Sequence, residues 1–289
     1  ILFNLLPRIT GVPFEALASV TPAGSLAVRQ ALLGVQGIQS VAIFMLPALA
    51  FAYLSHPQPR WYLGLRAPAK PMHLLLVVLL MAGATPILMG VQYLISLFDF
   101  GKEVKDAQLA SENMFVAMLN TTSPAGLVTR FLIMAIIPGI GEELFYRGIL
   151  MRFARQRSRN MLIPILFSAA VFAYSHTNIY GYLSIFMAGM LLASIYYLTG
   201  SIWCSILAHV FHNGLQLLLF YFSDTNGTTK VSLQVDPVPL SLLAAGIVVF
   251  AGAAWALWRT RQPLPANWAT DFTPMELEEL KQEKANRLF

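Results

Sequence analysis

The sequence predicts an all-α fold, a polytopic bundle of transmembrane helices. Three observations carry that prediction. Hydrophobic residues make up 57% of the 289 residues and only 11% are charged. Mean hydropathy is +0.63. The apolar residues are also gathered into runs long enough to cross a bilayer. Soluble domains carry about 25% charged residues, so this chain has too few charges to coat a water-facing globule. Disorder is excluded by the same figures, because disordered chains are poor in apolar residues.

A spanning helix needs roughly 20 mostly apolar residues. The first predicted span covers about 30–54 and contains Gln36 and Gln39. The second, about 72–98, contains no charge. The third, about 127–153, is interrupted by Glu142, Glu143, Arg147 and Arg152. The fourth, about 161–176, is short. The fifth, sixth and seventh cover about 180–198, 202–222 and 238–258. The chain opens on Ile1 without an initiator Met, and residues 1–6 read as the stub of a further helix, which would make eight spans in the complete protein.

The basic residues fix an orientation, because Lys and Arg accumulate in cytoplasmic loops. Loop 55–71 holds Arg60, Arg66 and Lys70 without an acid, loop 154–160 holds Arg155, Arg157 and Arg159, and the last segment opens with Arg259 and Arg261. Residues 99–126 and 223–237 are instead mixed or acidic, with Asp99, Glu103, Asp106, Glu112, Asp224 and Asp236. Basic and non-basic loops alternate with every predicted crossing, which puts the basic loops and the C-terminus in the cytoplasm. The net charge of +5 therefore reflects membrane orientation and gives no sign of nucleic acid. The single cysteine, Cys204, cannot form an internal disulfide, and no Cys/His cluster suggests a zinc finger. The reading divides the chain into a transmembrane unit, 1–258, and a cytoplasmic tail, 259–289. In the tail, Thr273-Pro274-Met275-Glu276 reads as a capping box opening a short helix that runs to about Arg287.

Ionisable groups inside spanning helices are costly and mark function. Here they fall in three places. Gly141-Glu142-Glu143-Leu144-Phe145-Tyr146-Arg147 puts two adjacent carboxylates in a helix. Glu143 and Arg147 are four apart and can pair on one face. Glu142 points about 100° away and lacks that partner. A carboxylate in a low-dielectric site without a cation suits general-base work near neutrality. The bland alternative for Glu143 and Arg147 is a salt bridge that locks helices. Phe172 and His176 are four apart on the next apolar segment. His209 and Asn213 share one face of the sixth span, with His212 between them. Counted from the cytoplasmic turns at 1.5 Å per residue, Glu142 and His176 lie roughly 16 Å deep and His209 roughly 12 Å. The three groups converge at similar depth, which predicts one polar pocket opening to the cytoplasm.

The series Glu142-Glu143-x-x-x-Arg147, Phe172-x-x-x-His176 and His209-x-x-x-Asn213, in this order on successive helices, resembles the CPBP family of CAAX proteases and bacteriocin-processing proteins, whose best-known members are the Rce1-type CAAX prenyl endopeptidases. The resemblance covers about 127–222, and Leu63-Gly64-Leu65-Arg66 adds a weaker likeness to bacterial members. It implies an intramembrane glutamate endopeptidase. By motif position Glu142 would activate water and His176 would assist it. His209 and Asn213 would stabilise the oxyanion. Glu143, Arg147 and Phe172 would support the pocket. His212 has no place in the motif. A metal-free mechanism is expected. The alternative is zinc held by Glu142, His176 and His209, without an HExxH motif. Other functions remain open at this point: a proton-coupled transporter, although no inverted repeat is found, or a non-catalytic immunity or scaffold protein on the same fold. The expected partners are a peptide or protein substrate, lipidated or amphipathic, and the lipid bilayer of the plasma (inner) membrane. Asn120-Thr121-Thr122 and Asn226-Gly227-Thr228 match glycosylation sequons on the predicted outer side.

Overall fold

A computed structural model describes residues 10–13, 15–16, 20–21, 24–65, 69–176, 178–223 and 236–265, with 268–269, 278–279, 282 and 286. Arg66, Asp224, Lys230, the Asn226 sequon, the stub at 1–6 and the capping box at 273–276 lie outside the described residues.

Every regular element among the described residues is helical. Helix α1 is Leu26–Ser55, α2 Pro71–Ser96, α3 Lys102–Leu119, α4 Pro124–Gln156, α5 Leu162–Tyr174, α6 Tyr182–Thr199, α7 Ile202–Ser223 and α8 Leu240–Thr260. Six of these, α1, α2, α4, α6, α7 and α8, are long and apolar enough to cross a membrane. The remaining predicted span is α5, with 13 residues. At 1.5 Å per residue it reaches only about 20 Å, short of the roughly 30 Å hydrocarbon core.

Local sequence explains where the helices begin. The Ser25 hydroxyl accepts from the Val28 amide at 3.4 Å, an N-cap for α1. Pro71 and Pro124 open α2 and α4 at positions where no helical N–H is needed. Gly200, in the left-handed region with φ of 67°, stops α6. Helix α3 is a departure from the sequence reading, which treated 99–126 as a loop. Its composition is too polar for a span, yet residues 102–119 are rich in good helix formers. The Asp99 carboxylate accepts from the Gly101 amide at 2.8 Å and pairs with Lys105 at 3.1 Å, which fastens the helix start.

Small residues bring helices together where lipid offers no hydrophobic drive. The closest approach joins α2 and α8. A Cβ on Gly83 would lie 2.5 Å from the Phe250 nitrogen and 2.8 Å from the Gly246 oxygen. One core cluster ties α2, α6, α7 and α8 through Val77, Met81, Leu192, Ile195, Ala208 and Leu257. A second lies beside the Glu142–Glu143 turn and holds Leu144, Ile149, Met151, Ala193, Tyr196 and Ile206. The chain after α8 returns to this second cluster. The Gln262 amide donates to the Leu198 carbonyl at 2.7 Å and the Leu264 amide to Tyr197 at 3.0 Å. These two bonds satisfy carbonyls at the end of α6 that have no helical partner. Trp268 then packs edge-on against Tyr196, and the Arg152 guanidinium lies 5.1 Å from its ring.

Candidate active site

Helix α4 carries the two glutamates between two π turns, Leu132–Ile136 and Leu144–Leu150. π turns occur preferentially at functional positions in helices. Nothing in the hydropathy pattern announces them. They leave the sequence-predicted divergence of the two carboxylates intact. Glu143 is fully buried and Glu142 is 8% exposed.

Glu143 is held from three sides. Arg147 Nη1 lies 2.9 Å from its Oε1, with both side chains fully buried. His209 Nδ1 lies 2.8 Å from the same oxygen. The Ser205 hydroxyl lies 2.5 Å from Oε2. Arg147 itself donates through Nη2 to the Gly189 carbonyl at 3.0 Å, and its guanidinium sits 5.0 Å from the Phe172 ring centre. The ion pair predicted from the i,i+4 spacing is therefore present, and Phe172 serves as a lid over its cation.

Glu142 has a different environment. It makes no hydrogen bond among the described residues. Its nearest polar partner is His209, whose Nε2 is 3.9 Å from Glu142 Oε2. That is too long for a direct hydrogen bond, and short enough for one water to touch both groups. Glu142 and His209 thus face one another, as the depth argument predicts. His209 bridges the two carboxylates with opposite ring nitrogens, Nδ1 on Glu143 and Nε2 toward Glu142.

His176 is half-buried and lies two residues past the end of α5, not on the helix as its spacing from Phe172 predicts. Its Nδ1 donates to the Phe172 carbonyl at 2.7 Å, which leaves Nε2 free to accept. The Phe172 ring joins the two histidines, with centroids 4.7 Å from His176 and 5.7 Å from His209. Asn213 is less central. Its amide donates to the Met134 carbonyl on α4 at 3.3 Å. His212 turns to Gln216, one helical turn along, at 2.7 Å.

Three positioning contacts escape the sequence reading. Ser205 precedes His209 by one turn on the same face, so the spacing Ser205-x-x-x-His209-x-x-x-Asn213 is the signal that could have found it. Tyr146 donates to the Ser175 hydroxyl at 2.7 Å, linking the glutamate helix to the segment of His176. Gln108 on α3 is 1% exposed and accepts from the Ile179 amide at 3.0 Å while donating to Asn178 at 2.9 Å. A helix surface read for charge alone does not reveal such a long-range partner.

Among the described residues no three His, Cys, Asp or Glu side chains gather as a metal-ligand set. Of the donors suggested for zinc, His209 donates Nδ1–H to Glu143 and His176 donates Nδ1–H to a backbone carbonyl, which leaves Nε2 of each ring as the open nitrogen. An apolar recess of about 630 Å³ lies between α4 and α7, lined in part by Ile136 and Ile140 of α4 and Ile206 and Val210 of α7, with no side chain of the site in its lining.

The family model for type II CAAX prenyl endopeptidase Rce1-like proteins matches residues 124–215. Those residues are similar to an Rce1-like domain. The match covers about a third of the chain and runs from the start of α4 into α7, the helices that supply Glu142, Glu143, Arg147, Phe172 and His209. Comparison with curated proteins gives no match, and comparison with solved structures gives none either. The likeness of the chain's central helices is thus to a peptidase family. With six helices of spanning length among the described residues, the protein is a multi-pass membrane protein.

Proposed function

We propose that this protein is an intramembrane endopeptidase that hydrolyses a peptide bond with a water activated by Glu142. The observation that carries this reading is the contrast between the two adjacent glutamates. Glu143 accepts hydrogen bonds from His209 and Ser205 and is ion-paired with Arg147, whereas Glu142 has no hydrogen bond among the described residues and lies 3.9 Å from His209 Nε2. A base must have uncommitted lone pairs, and of the two carboxylates Glu142 is the one that accepts no hydrogen bond among the described residues.

The proposed reaction proceeds as follows. Glu142 takes a proton from the water as its oxygen attacks the scissile carbonyl carbon. The oxyanion of the tetrahedral intermediate faces His209. Because Nδ1–H is directed to Glu143, a proton on Nε2 makes the ring an imidazolium, the form an oxyanion donor needs. Two carboxylates, Arg147 and a charged His209 then sum to zero. The C–N bond breaks, Glu142 returns its proton to the leaving amine, and a carboxylate and an amine depart. His176, with Nε2 open, assists the water, and Asn213 supports the far end of the oxyanion site. No metal takes part in this scheme. A purified enzyme inactivated by a chelator and restored by zinc would overturn that choice.

The substrate is a peptide or protein segment, and the apolar recess suits one with a lipidated or hydrophobic stretch. The basic loops support a plasma (inner) membrane orientation with the C-terminus and the mouth of the site in the cytoplasm. Residues 1–258 form the protease unit and 259–289 its cytoplasmic tail.

The test is Glu142→Gln in the native host, with capture of peptides that accumulate uncut. Proteolysis should fall by at least about a hundredfold, the usual worth of a general base. Thermal stability should change by less than about 1 kcal/mol, since no hydrogen bond is lost. Full proteolysis in the variant would end the glutamate reading, and a cellular role that survives Glu142→Gln would favour the immunity or scaffold reading instead.

A further inference from the structure

Glu143 needs two fixed oxygens if it is to aim His209. Arg147 and His209 both approach Oε1, which leaves Oε2 to a single partner, Ser205. Ser205 is fully buried, so no solvent can replace it. Its hydroxyl has one proton and two acceptors within reach, Glu143 Oε2 at 2.5 Å and the Leu192 carbonyl at 3.0 Å. The shorter contact and the charged acceptor take the proton. Ser205 and His209 stand one turn apart on α7, so one helix face grips both oxygens of the carboxylate. That two-point grip fixes the rotation of the carboxylate about its last side-chain bond. The rotation in turn fixes where Oε1 meets Nδ1, and so whether Nε2 points at Glu142.

We propose that Ser205 is a positioning residue of this site: by clamping Oε2 of Glu143 it holds the proton on His209 Nδ1 and turns Nε2 toward Glu142. The proposal rests on the reading of Glu142 and His209 as the working pair, but its test needs no turnover. Without the hydroxyl, Oε2 is a buried acceptor with no donor, and the carboxylate can rotate to share Arg147 and His209 between both oxygens.

The experiment is nitrogen-15 NMR of the histidine rings of the full-length protein in detergent or nanodiscs, with the His209 signals assigned by their loss in His209→Gln. In the charged ring, Nδ1–H should show the signature of a strong hydrogen bond to the carboxylate. In Ser205→Ala the population with that bond loosened should rise about tenfold, the scale set by one hydrogen bond to a charged group. Glu143→Gln should shift the same signals, and Ser205→Ala added to it should shift them no further. A purely structural serine would lower stability in both backgrounds and leave the His209 ring unchanged. An unchanged ring in Ser205→Ala, or shifts that add in the double variant, overturns the proposal. Loss of the protease reading shows instead as cleavage surviving Glu142→Gln, whatever the ring signals do.

Discussion

Replacing Arg147 by methionine separates the structural part of this site from the chemical part. The substitution keeps volume and flexibility but removes three interactions at once. It deletes the 2.9 Å ion pair to Glu143, the 3.0 Å hydrogen bond to the Gly189 carbonyl, and the cation over Phe172 at 5.0 Å. Both charged side chains are fully buried, so water cannot screen or replace the lost cation. Breaking a buried pair on one side costs about 3–5 kcal/mol, because the other charge is stranded. The Gly189 carbonyl adds about 1 kcal/mol. Against this, His209 and Ser205 still donate to Glu143 and relieve part of the penalty. The expected net loss is about 3–5 kcal/mol, read as a fall in the unfolding midpoint of the purified protein in nanodiscs. The double variant Glu143→Gln/Arg147→Met has no stranded charge and should regain most of that loss. Its activity should stay absent, since His209 has lost the carboxylate that aims it. Equal stability of Arg147→Met and wild type would refute the reasoning. So would a double variant no more stable than the single one.

Two further outcomes concern the parts around the site. Gly83→Ala places a Cβ 2.5 Å from one backbone atom of α8 and 2.8 Å from another, which cannot rotate away. Overpacking of about 1–3 kcal/mol should outweigh the roughly 1 kcal/mol gained in helix propensity, whereas Gly34→Ala, with nothing within 4 Å of its Cβ, should be neutral or stabilising in the same melt. On α3, outside the spans, burial holds the half-buried Glu112 carboxyl above its usual range, partly opposed by the Gln108 hydrogen bond. An acid whose folded value is raised favours the folded form below the ordinary carboxylate range and loses that contribution as pH rises through the raised value. Protection of the Ile179 amide against hydrogen exchange, corrected for intrinsic rate, should therefore weaken with rising pH and become flat in Glu112→Gln. Protection that strengthens with pH would contradict the assignment.

Much of the architecture is legible in the sequence because bilayer thickness imposes a length on apolar runs. The predicted spans and the observed helices agree to within a few residues, except where the constraint is weak. Helix α5 is too short to be fixed by that length, and α3 is too polar to be seen by hydropathy. The different environments of Glu142 and Glu143 were also legible, since adjacent residues on a helix diverge by about 100° and the i,i+4 spacing pairs Glu143 with Arg147. The rest was not. That His209 joins both glutamates depends on the packing of α7 against α4, which no local pattern encodes. Ser205 resembles any buried serine until its partner 62 residues away is known. His176 lies beyond its helix because α5 ends at Tyr174, a boundary that apolar character alone does not set.

The arrangement also explains why two glutamates stand side by side. A lone carboxylate in this core, paired with Arg147, would be stable and inert, because its lone pairs would be spent. A lone carboxylate without Arg147 would be free but would face His209 with nothing to hold the imidazole. Dividing the tasks removes the conflict. Glu143 takes the arginine, the serine and one ring nitrogen, and becomes part of the scaffold. Glu142 is then presented to the other ring nitrogen with no donor of its own. Arg147 stands four residues from Glu143 and is ion-paired with it at 2.9 Å. It follows that Glu142→Gln and Glu143→Gln should both abolish chemistry, yet only the second should disturb the fold.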